Sequence, residues 1–501
     1  MNGAATTSSD PISHTGLGGI VFAVSAAALA GLLFGYDTGV AAGIQGYLQT
    51  YFHLSNTQLG FAIASLEIGC VPGALIAGTL ADHFGRKKVL ILCAILFAVS
   101  GLLSAVAWSF TVLVLARLMG GLTIGASSMV APVYIAEIAP EKHRGRLVSL
   151  FQLAIVVGIA AVYWVNFLIL KVGGSIHAAH AVAGAQWNQT MGWRWMLGSE
   201  LLPSLLFLLV ILAVPESPRW LVINNREEEG RSILTRLLGA TAATREIDAV
   251  KRVVAEEEGR FSELFTPRYR LPLLIALVLA AFSQFSGIAS VIYYTPRIFE
   301  AAGMKTSNAF GSTALLGMVN MTFTFIAVGF VDKAGRKLLL TIGTSIQVIA
   351  LATVGVVFIL AAHAQTPAGA SGGMGQNAAA HFTHAEVVLL LVSLLTYTAA
   401  FCMAMGPIPW IIFSEIFPAR IRGRAAAVGV LTLWIANATT TQTFPMLKAH
   451  AGLGTTFFLY SGCSLISFLF VVLVLPETKG KTLEQIEDYW QHRHERRMDR
   501  V

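Results

Sequence analysis

The chain has 501 residues, of which 55% are hydrophobic and 12% are charged, and its mean hydropathy is +0.69. This composition is too apolar for an ordinary soluble domain, so it indicates an integral membrane protein. The net charge of +7 comes from basic residues in short connections between apolar runs. Membrane proteins generally carry an excess of basic residues in their cytoplasmic loops. This rule accounts for the positive net charge without a nucleic-acid partner.

Apolar runs of about 20 residues recur from Leu17 to Pro476, and each could cross a hydrocarbon core of roughly 30 Å as a helix. About twelve such runs can be distinguished. They are continuous, whereas a membrane β-barrel needs shorter segments of strict alternation. The sequence therefore predicts an all-α membrane protein with twelve transmembrane helices.

A change of composition divides these runs into six and six. From Asn224 to Arg270 the chain is charged, with short apolar stripes typical of amphipathic helices. Its basic residues predict that this linker and both chain termini are cytoplasmic. The predicted parts are an N-terminal tail (1–16), a six-helix half (17–214), a helical linker (215–270), a second six-helix half (271–476) and a C-terminal tail (477–501).

Charged residues interrupt the apolar runs at a few positions. Asp37 lies in the first run and Arg117 in the fourth, and either charge alone would cost several kcal/mol inside a membrane. We therefore expect the two to face each other. Glu67 in the second run and Glu200 in the sixth are alternative acids for any proton transfer.

Three motifs occur once in each half. Asp82-His-Phe-Gly85-Arg86-Lys87 returns at Asp332, Glu137-Ile-Ala-Pro140 to Arg146 returns at Glu415, and Pro215-Glu216-Ser217 returns at Pro476. Such repetition predicts two halves related by a pseudo-twofold axis, with a site between them near mid-membrane.

These residues resemble the sugar porter family of the major facilitator superfamily, and in particular its bacterial proton-coupled symporters. The resemblance covers nearly the whole chain. Further signatures that carry it are Arg117-x-x-x-Gly121-x-x-x-Gly125, Pro132 to Glu137, Pro215-Glu-Ser-Pro-Arg219, Gly406-Pro-Ile-Pro-Trp410 and Pro476-Glu-Thr-Lys-Gly480. The resemblance implies the major facilitator fold and proton-coupled movement of a hexose or pentose into the cell by alternating access.

The resemblance also implies roles for individual residues. Asp37 would carry the proton and Arg117 would control it. The implied sugar-binding residues are Phe34, Gln152, Gln284, Tyr293, Asn320, Gly406, Trp410 and Trp434. The implied salt-bridge gate at the cytoplasmic side comprises Arg86, Glu137, Arg144, Glu216, Arg219, Arg336, Glu415, Arg422 and Glu477.

The chain departs from the family pattern at three positions. Ser283 and Ala289 replace amides usual in the seventh span, and Leu433 replaces a polar residue that often precedes the tryptophan of the eleventh. Fewer amides mean fewer partners for sugar hydroxyls. The identity of the sugar is therefore open.

Several alternatives stay open as well. A facilitative uniporter would share the fold, and the acid at Asp37 favours the symporter over it. A transporter-like sugar sensor would need a longer cytoplasmic tail, and a drug/proton antiporter is disfavoured by the PESPR and PETKG signatures. Neither an HExxH motif nor a phosphate-loop spacing is present, so we predict no enzyme activity, cofactor or metal. The expected partners are the sugar, the proton and the lipid bilayer, with the chain a monomer in the bacterial inner membrane.

Overall fold

The computed structural model describes residues 14–140, 143–176, 186–255, 261–363, 382–417, 419–477 and 479. These residues are helical apart from short connections, and no strand occurs among them. Residues 1–13 of the predicted N-terminal tail, and all but two residues of the predicted C-terminal tail, lie outside the described residues.

The first half contains seven α-helices, two of which belong to one broken span. They are α1 (His14–Tyr51), α2 (Asn56–Phe84), α3 (Arg86–Ala105), α4 (Phe110–Ile138), α5 (Arg144–Ile176), α6 (Trp193–Gly198) and α7 (Leu201–Ala213). A π-helical turn (Asn188–Gly192) leads into α6.

The linker contains three α-helices, and the second half follows it. The linker helices are α8 (Pro218–Ile223), α9 (Glu227–Leu238) and α10 (Ala240–Ala255). A short 3-10 helix (Phe261–Phe265) precedes the second half, which comprises α11 (Arg270–Phe285), α12 (Ile288–Ala301), α13 (Thr306–Ala334), α14 (Arg336–His363), α15 (His384–Met403), α16 (Ile408–Glu415) and α17 (Ala419–Leu473).

Eleven stretches of the described residues are long and apolar enough to cross a membrane. The last of them has 51 residues, from Gly423 to Leu473, and its backbone is non-helical at Gly452. A continuous helix of that length would measure about 76 Å at 1.5 Å per residue, far more than a bilayer core. Gly452 therefore divides α17 into two arms that each cross once, which confirms the prediction of twelve transmembrane helices.

Glycines let α4 approach α2 closely. A Cβ at Gly121 would collide with the backbone oxygen of Leu66, and one at Gly125 would collide with that of Cys70. Small residues permit this backbone contact, and dispersion forces then stabilise the pair. The resulting contact between α2 and α4 is among the most extensive in the protein and fixes the position of Arg117 on α4.

Among the described residues, the most extensive contacts between the two halves are those of α2 with α17, α5 with α13, and α1 with α12. The linker helices lie at one end of the bundle, where Leu237 of α9 touches Gly19 near the start of α1. We call this end the linker face. The opposite end, where α1 ends at Tyr51 and α2 begins at Asn56, is called the far face.

Candidate functional site

Asp37 and Arg117 form a buried ion pair, as the sequence led us to expect. Arg117 Nη1 donates to Asp37 Oδ1, and Nη2 donates to the Asp37 backbone oxygen at 3.3 Å. The exposed fractions are 0% for Asp37 and 2% for Arg117. The second carboxylate oxygen, Oδ2, lies beside Gly120 and has no hydrogen-bond partner in the described part of the chain. That oxygen is available to accept a proton.

Two further acids are buried near this pair. Glu67 on α2 and Glu200, at the turn between α6 and α7, are each 1% exposed. Both interact electrostatically with Arg117 and Asp37, and each has one carboxyl oxygen to which no described residue donates a hydrogen bond. A second ionised carboxylate would compete with Asp37 for a single guanidinium, which makes ionisation of all three acids together costly.

Two predicted sugar-binding residues meet across the halves. Phe34 on α1 and Trp434 on α17 have ring centroids 5.5 Å apart, with their planes inclined by 40°. Trp434 is buried, and its indole nitrogen has no hydrogen-bond partner among the described residues. Gln284 lies near the end of α11, its amide nitrogen donates to Ser283 Oγ at 3.1 Å, and its backbone oxygen accepts from Thr440 of α17.

The other predicted sugar residues are more dispersed. Asn320 on α13 is buried, and its amide oxygen accepts from Cys402 Sγ at 3.3 Å. Gly406 lies just beyond that cysteine, in the turn before α16, and Trp410 on α16 is 41% exposed. Gln152 on α5 is half-buried. Within the described residues these side chains make no hydrogen bond or ring contact with the Phe34–Trp434 pair.

Tyr293 and the residue before it are bound by the first half. The Tyr293 backbone oxygen accepts from the amide of Gln45 on α1, and the Tyr293 side chain interacts electrostatically with Glu67 on α2. The neighbouring Ile292 backbone oxygen accepts from Tyr163 Oη of α5 at 2.6 Å. Gln45 and Tyr163 are not among the predicted site residues, although Gln45 is a polar residue within an apolar run, as Gln152 is.

At the linker face, the predicted gate residues of the first half form one cluster. Arg86 contacts Glu137 and Asp82, each at 3.1 Å. Glu216 accepts hydrogen bonds from the backbone nitrogens of Lys87 and Ser217, at 3.0 and 2.8 Å. A carboxylate at the start of α3 satisfies a free backbone N–H and complements the helix dipole.

The second half repeats this arrangement. Arg336 Nη2 donates to Glu415 at 2.8 Å, and Glu477 accepts from the backbone nitrogens of Arg336 and Lys337, each at 3.1 Å. Glu477 therefore caps α14 as Glu216 caps α3, so the repeated motifs have the same structural role in both halves. The side chain of Arg422 lies outside the described residues.

The remaining gate residues face the linker. Arg144 Nη2 donates to Glu246 of α10 at 2.9 Å. Arg219 lines a cavity of about 280 Å³ together with Glu137, Arg144 and Glu246. The gate pairs found among the described residues thus lie within one half or on the linker, and a salt bridge between the halves stays a prediction.

Further polar contacts between the halves lie at the far face. Arg297 Nη2 of α12 donates to Gln49 of α1 at 2.8 Å, and Gln442 of α17 donates to the Thr57 backbone oxygen at 3.0 Å. Gly60 of α2 packs directly against the backbone of Gln442. The halves are therefore joined at the far face in this conformation. No cluster of three metal-binding side chains occurs in the described part of the chain.

Comparison with known proteins agrees with this architecture. The chain is 39% identical to the arabinose-proton symporter of Bacillus subtilis, covering 96% of this chain and 97% of the relative. It is 37% identical to the D-xylose-proton symporter of Escherichia coli, with 93% and 94% covered. The inward-open structure of the E. coli xylose transporter XylE superimposes with a TM-score of 0.79 at 35% identity, covering 94% of this chain and all of that one.

The family described as sugar (and other) transporter matches residues 23–490, which is most of the chain. With twelve crossings, duplicated linker-face motifs and relatives matched over almost their full lengths, this chain belongs to that sugar transporter family of the major facilitator superfamily.

Proposed function

We propose that this protein is a proton-coupled symporter that moves a monosaccharide, a pentose or a hexose, into the cell by alternating access. The observation that carries the proposal is the buried Asp37–Arg117 pair between α1 and α4. The naming of two relatives as arabinose-proton and D-xylose-proton symporters supports it.

Asp37 is the proposed proton carrier. When Asp37 is ionised, the Arg117 guanidinium stabilises the carboxylate, and when Asp37 accepts a proton, the ion pair is replaced by a weaker contact. A conformational change that alters the distance between these groups changes the affinity of Asp37 for the proton. Because linkage is reciprocal, protonation then biases the conformation, and sugar movement becomes coupled to proton movement.

The proposed sugar site lies between the halves. Amides such as Gln152, Gln284 and Asn320 can both donate to and accept from vicinal hydroxyls. The Phe34–Trp434 pair offers an aromatic surface for the C–H face of a sugar ring. Tyr293 on α12 is also part of the proposed site, and Gly406 and Trp410 complete it on the α15–α16 side.

The linker face is proposed to be cytoplasmic, because the basic residues of the short connections cluster there. This orientation puts both termini in the cytoplasm, with residues 17–214 and 271–476 as the two moving halves and 215–270 as the linker between them. We further propose a monomer in a bacterial inner membrane, in contact with lipid around the bundle.

Uptake into proteoliposomes tests the proposal. Purified protein would be tested with labelled arabinose, xylose, galactose and glucose, with and without an inward proton gradient. We expect one of these sugars to accumulate above equilibrium only when the gradient is present. Asp37→Asn should abolish accumulation while sparing sugar binding, and the exposed linker variant Asp248→Asn provides a control for the loss of one carboxylate.

Two results would contradict this assignment. Uptake that only equilibrates, with no effect of the gradient, identifies a facilitative uniporter. Full accumulation by Asp37→Asn removes Asp37 from the coupling step and leaves Glu200 or Glu67 as the carrier.

A further inference from the structure

A cavity of about 170 Å³ lies at the far face, and the proposed function gives it no role. Its walls come from both halves, with α1 and the π-helical turn before α6 on one side and α12 and the start of α13 on the other. The polar residues that line it include Gln45, Tyr47 and Gln189 in the first half and Arg297, Glu300 and Thr306 in the second. Gln189 and Thr306 are exposed, so the cavity reaches the solvent on the far side.

Gln45 brings a hydrogen-bond acceptor without a donor to this cavity. The residue is 1% exposed, and its amide nitrogen already donates to the Tyr293 backbone oxygen on α12. Its amide oxygen has no hydrogen-bond partner among the residues that the structure describes. A buried acceptor without a partner is costly, so the cavity favours a ligand that supplies an O–H or N–H group.

The charges that line the cavity balance each other. Arg297 and Glu300 lie about one helical turn apart on α12, so a free ion of either sign would be attracted by one and repelled by the other. A neutral molecule with several hydroxyls can accept from the guanidinium and donate to the carboxylate and to the Gln45 amide. Tyr47 and Phe310 add aromatic surface for its C–H groups. This chemistry fits a monosaccharide better than an ion.

The cavity depends on the contact between the halves. Arg297 Nη2 donates to Gln49 of α1 at 2.8 Å, and a Cβ at Gly46 would lie 3.2 Å from Arg297 Nε. The glycine thus lets the guanidinium lie close to α1. When α12 and α13 move away from α1, the two walls separate. A ligand in the cavity therefore binds only the closed far face and, because linkage is reciprocal, stabilises it.

We propose that this cavity is a second monosaccharide site, which binds sugar from the far side while the far face is closed and delays its reopening. The inference rests on the proposed function, because its ligand is the transported sugar. After sugar is released at the linker face, the empty transporter must reopen its far face before the next cycle. A sugar in the cavity has to leave first, so an excess of external sugar slows uptake.

Alkylation of introduced cysteines tests where the sugar binds. Gln189→Cys and Thr306→Cys each put a thiol on the cavity wall, one in each half. Gln186→Cys and Ser307→Cys are the matched controls, because both positions are exposed and lie outside the lining. The four native cysteines are buried or half-buried. A membrane-impermeant maleimide would be applied to the reconstituted full chain with arabinose, xylose, galactose or glucose, whichever the wild type accumulates.

We expect sugar to protect the two lining cysteines selectively. Their alkylation should slow roughly tenfold when the sugar is present at ten times its dissociation constant for the cavity. The two control cysteines should react at the same rate with and without sugar. Protection of all four would indicate a conformational change alone.

Uptake kinetics test the consequence. A polar site that stays open to water binds sugar weakly, so we expect a dissociation constant of about 1–10 mM. In cells that express the full chain and lack other transporters of that sugar, the initial rate should pass through a maximum. It should then fall at least about twofold by about 100 mM sugar, where the cavity is mostly occupied.

Three variants connect this decline to the cavity. Thr306→Trp puts a bulky ring at the cavity wall, so its uptake rate should level off instead of falling. Gln189→Ala removes an amide without adding bulk, and it should move the decline to higher sugar concentration even if Thr306→Trp does not fold. Ser307→Trp is the control for a bulky residue and should keep the wild-type decline.

The second site is wrong if sugar leaves the alkylation of both lining cysteines unchanged, or if it slows the lining and control cysteines equally. It is also wrong if the wild-type rate saturates without a decline, or if Thr306→Trp and Gln189→Ala both keep the wild-type decline. The proposed function is judged separately, by gradient-driven accumulation of sugar in the wild type and in Asp37→Asn.

Discussion

The ring of Phe34 on α1 lies 5.5 Å from the ring of Trp434 on α17, so an aromatic contact spans the two halves of the duplicated chain. The indole N–H of Trp434 is buried and has no hydrogen-bond acceptor among the described residues. A buried donor without a partner is costly, and a sugar hydroxyl would satisfy it. The Phe34 and Trp434 side chains are therefore candidates to close over a bound sugar.

The first prediction separates the two contributions of Trp434. Trp434→Phe removes the N–H donor and keeps a ring, so the sugar dissociation constant should rise by roughly three- to tenfold, the scale of one hydrogen bond. Trp434→Leu removes the ring as well and should raise it further. Equilibrium binding of labelled sugar measures both effects.

Trp193 on α6 supplies the matched control, since it is also buried and its indole nitrogen has no hydrogen-bond partner within the residues that the structure describes. Trp193→Phe should leave sugar affinity unchanged. Equal affinity in all three variants would remove Trp434 from the sugar site.

The second prediction concerns the break between α11 and α12. Gly287 has a φ of 88°, and a Cβ there would collide with the ring of Tyr460. Gly287→Ala should therefore lower the melting temperature, because left-handed backbone costs an alanine roughly 1–2 kcal/mol before any clash. It should also reduce uptake, since α12 carries Tyr293.

Two other glycines separate these causes. Gly303 has a φ of 82° with open space around it, so Gly303→Ala tests backbone strain alone. Gly462 lies in a helix with open space, so Gly462→Ala tests neither effect. We expect the melting temperature to decrease in the order Gly462→Ala, Gly303→Ala, Gly287→Ala. Any other order would contradict this explanation of the Gly287 break.

Much of the architecture follows from the sequence. The apolar runs predict the crossings because each must satisfy its own backbone hydrogen bonds inside lipid. The pairing of Asp37 with Arg117 follows because neither charge is stable alone in that medium. The duplicated motifs predict two equivalent halves, and the matching caps of Glu216 on α3 and Glu477 on α14 bear this out.

Other features depend on how the helices are rotated about their axes, which an almost wholly apolar sequence leaves undetermined. The sequence marks Gln45 as a polar residue in an apolar run, yet its hydrogen bond to the Tyr293 backbone oxygen depends on which faces of α1 and α12 meet across the halves. Glu216 and Glu477 were assigned to a gate, and their hydrogen bonds to helix starts are visible only in three dimensions. The break at Gly287 becomes clear only from its backbone angle.

The third prediction is a pH effect in the linker. Hydrogen bonds from Lys251 and Arg231 hold the pKa of Glu227 below its ordinary value. The contribution of this carboxylate to docking of α9 on α10 is therefore complete above the ordinary glutamate pKa, and it is lost as the pH falls through the lowered value. Hydrogen exchange in α9 and α10 should accelerate over that acidic range.

Glu227→Gln should remove most of this acid sensitivity, and Lys251→Ala should remove part of it. Glu228→Gln, an exposed neighbour on the same turn, is the control and should behave as the wild type. An unchanged exchange profile in Glu227→Gln would contradict the role of the ion pair.

The last prediction is that charges at the two faces bias the transport cycle in opposite directions. Arg297 joins the halves at the far face through Gln49, so Arg297→Leu should increase the population open at that face. Arg144 and Glu415 belong to the predicted gate at the linker face, so Arg144→Ala and Glu415→Gln should increase the population open there.

Loss of one hydrogen bond of about 0.5–1.5 kcal/mol shifts a two-state population roughly two- to tenfold. Spin labels on Thr57→Cys of α2 and His450→Cys of α17, both exposed, measure the distance between the halves at the far face. We expect longer distances for Arg297→Leu and shorter ones for the other two variants. Arg245→Ala, an exposed linker substitution, controls for loss of a positive charge and should leave the distances unchanged. Shifts of the same sign at both faces would mean that these charges act on overall stability, and no shift for Arg144→Ala and Glu415→Gln would mean that they only mark the membrane boundary.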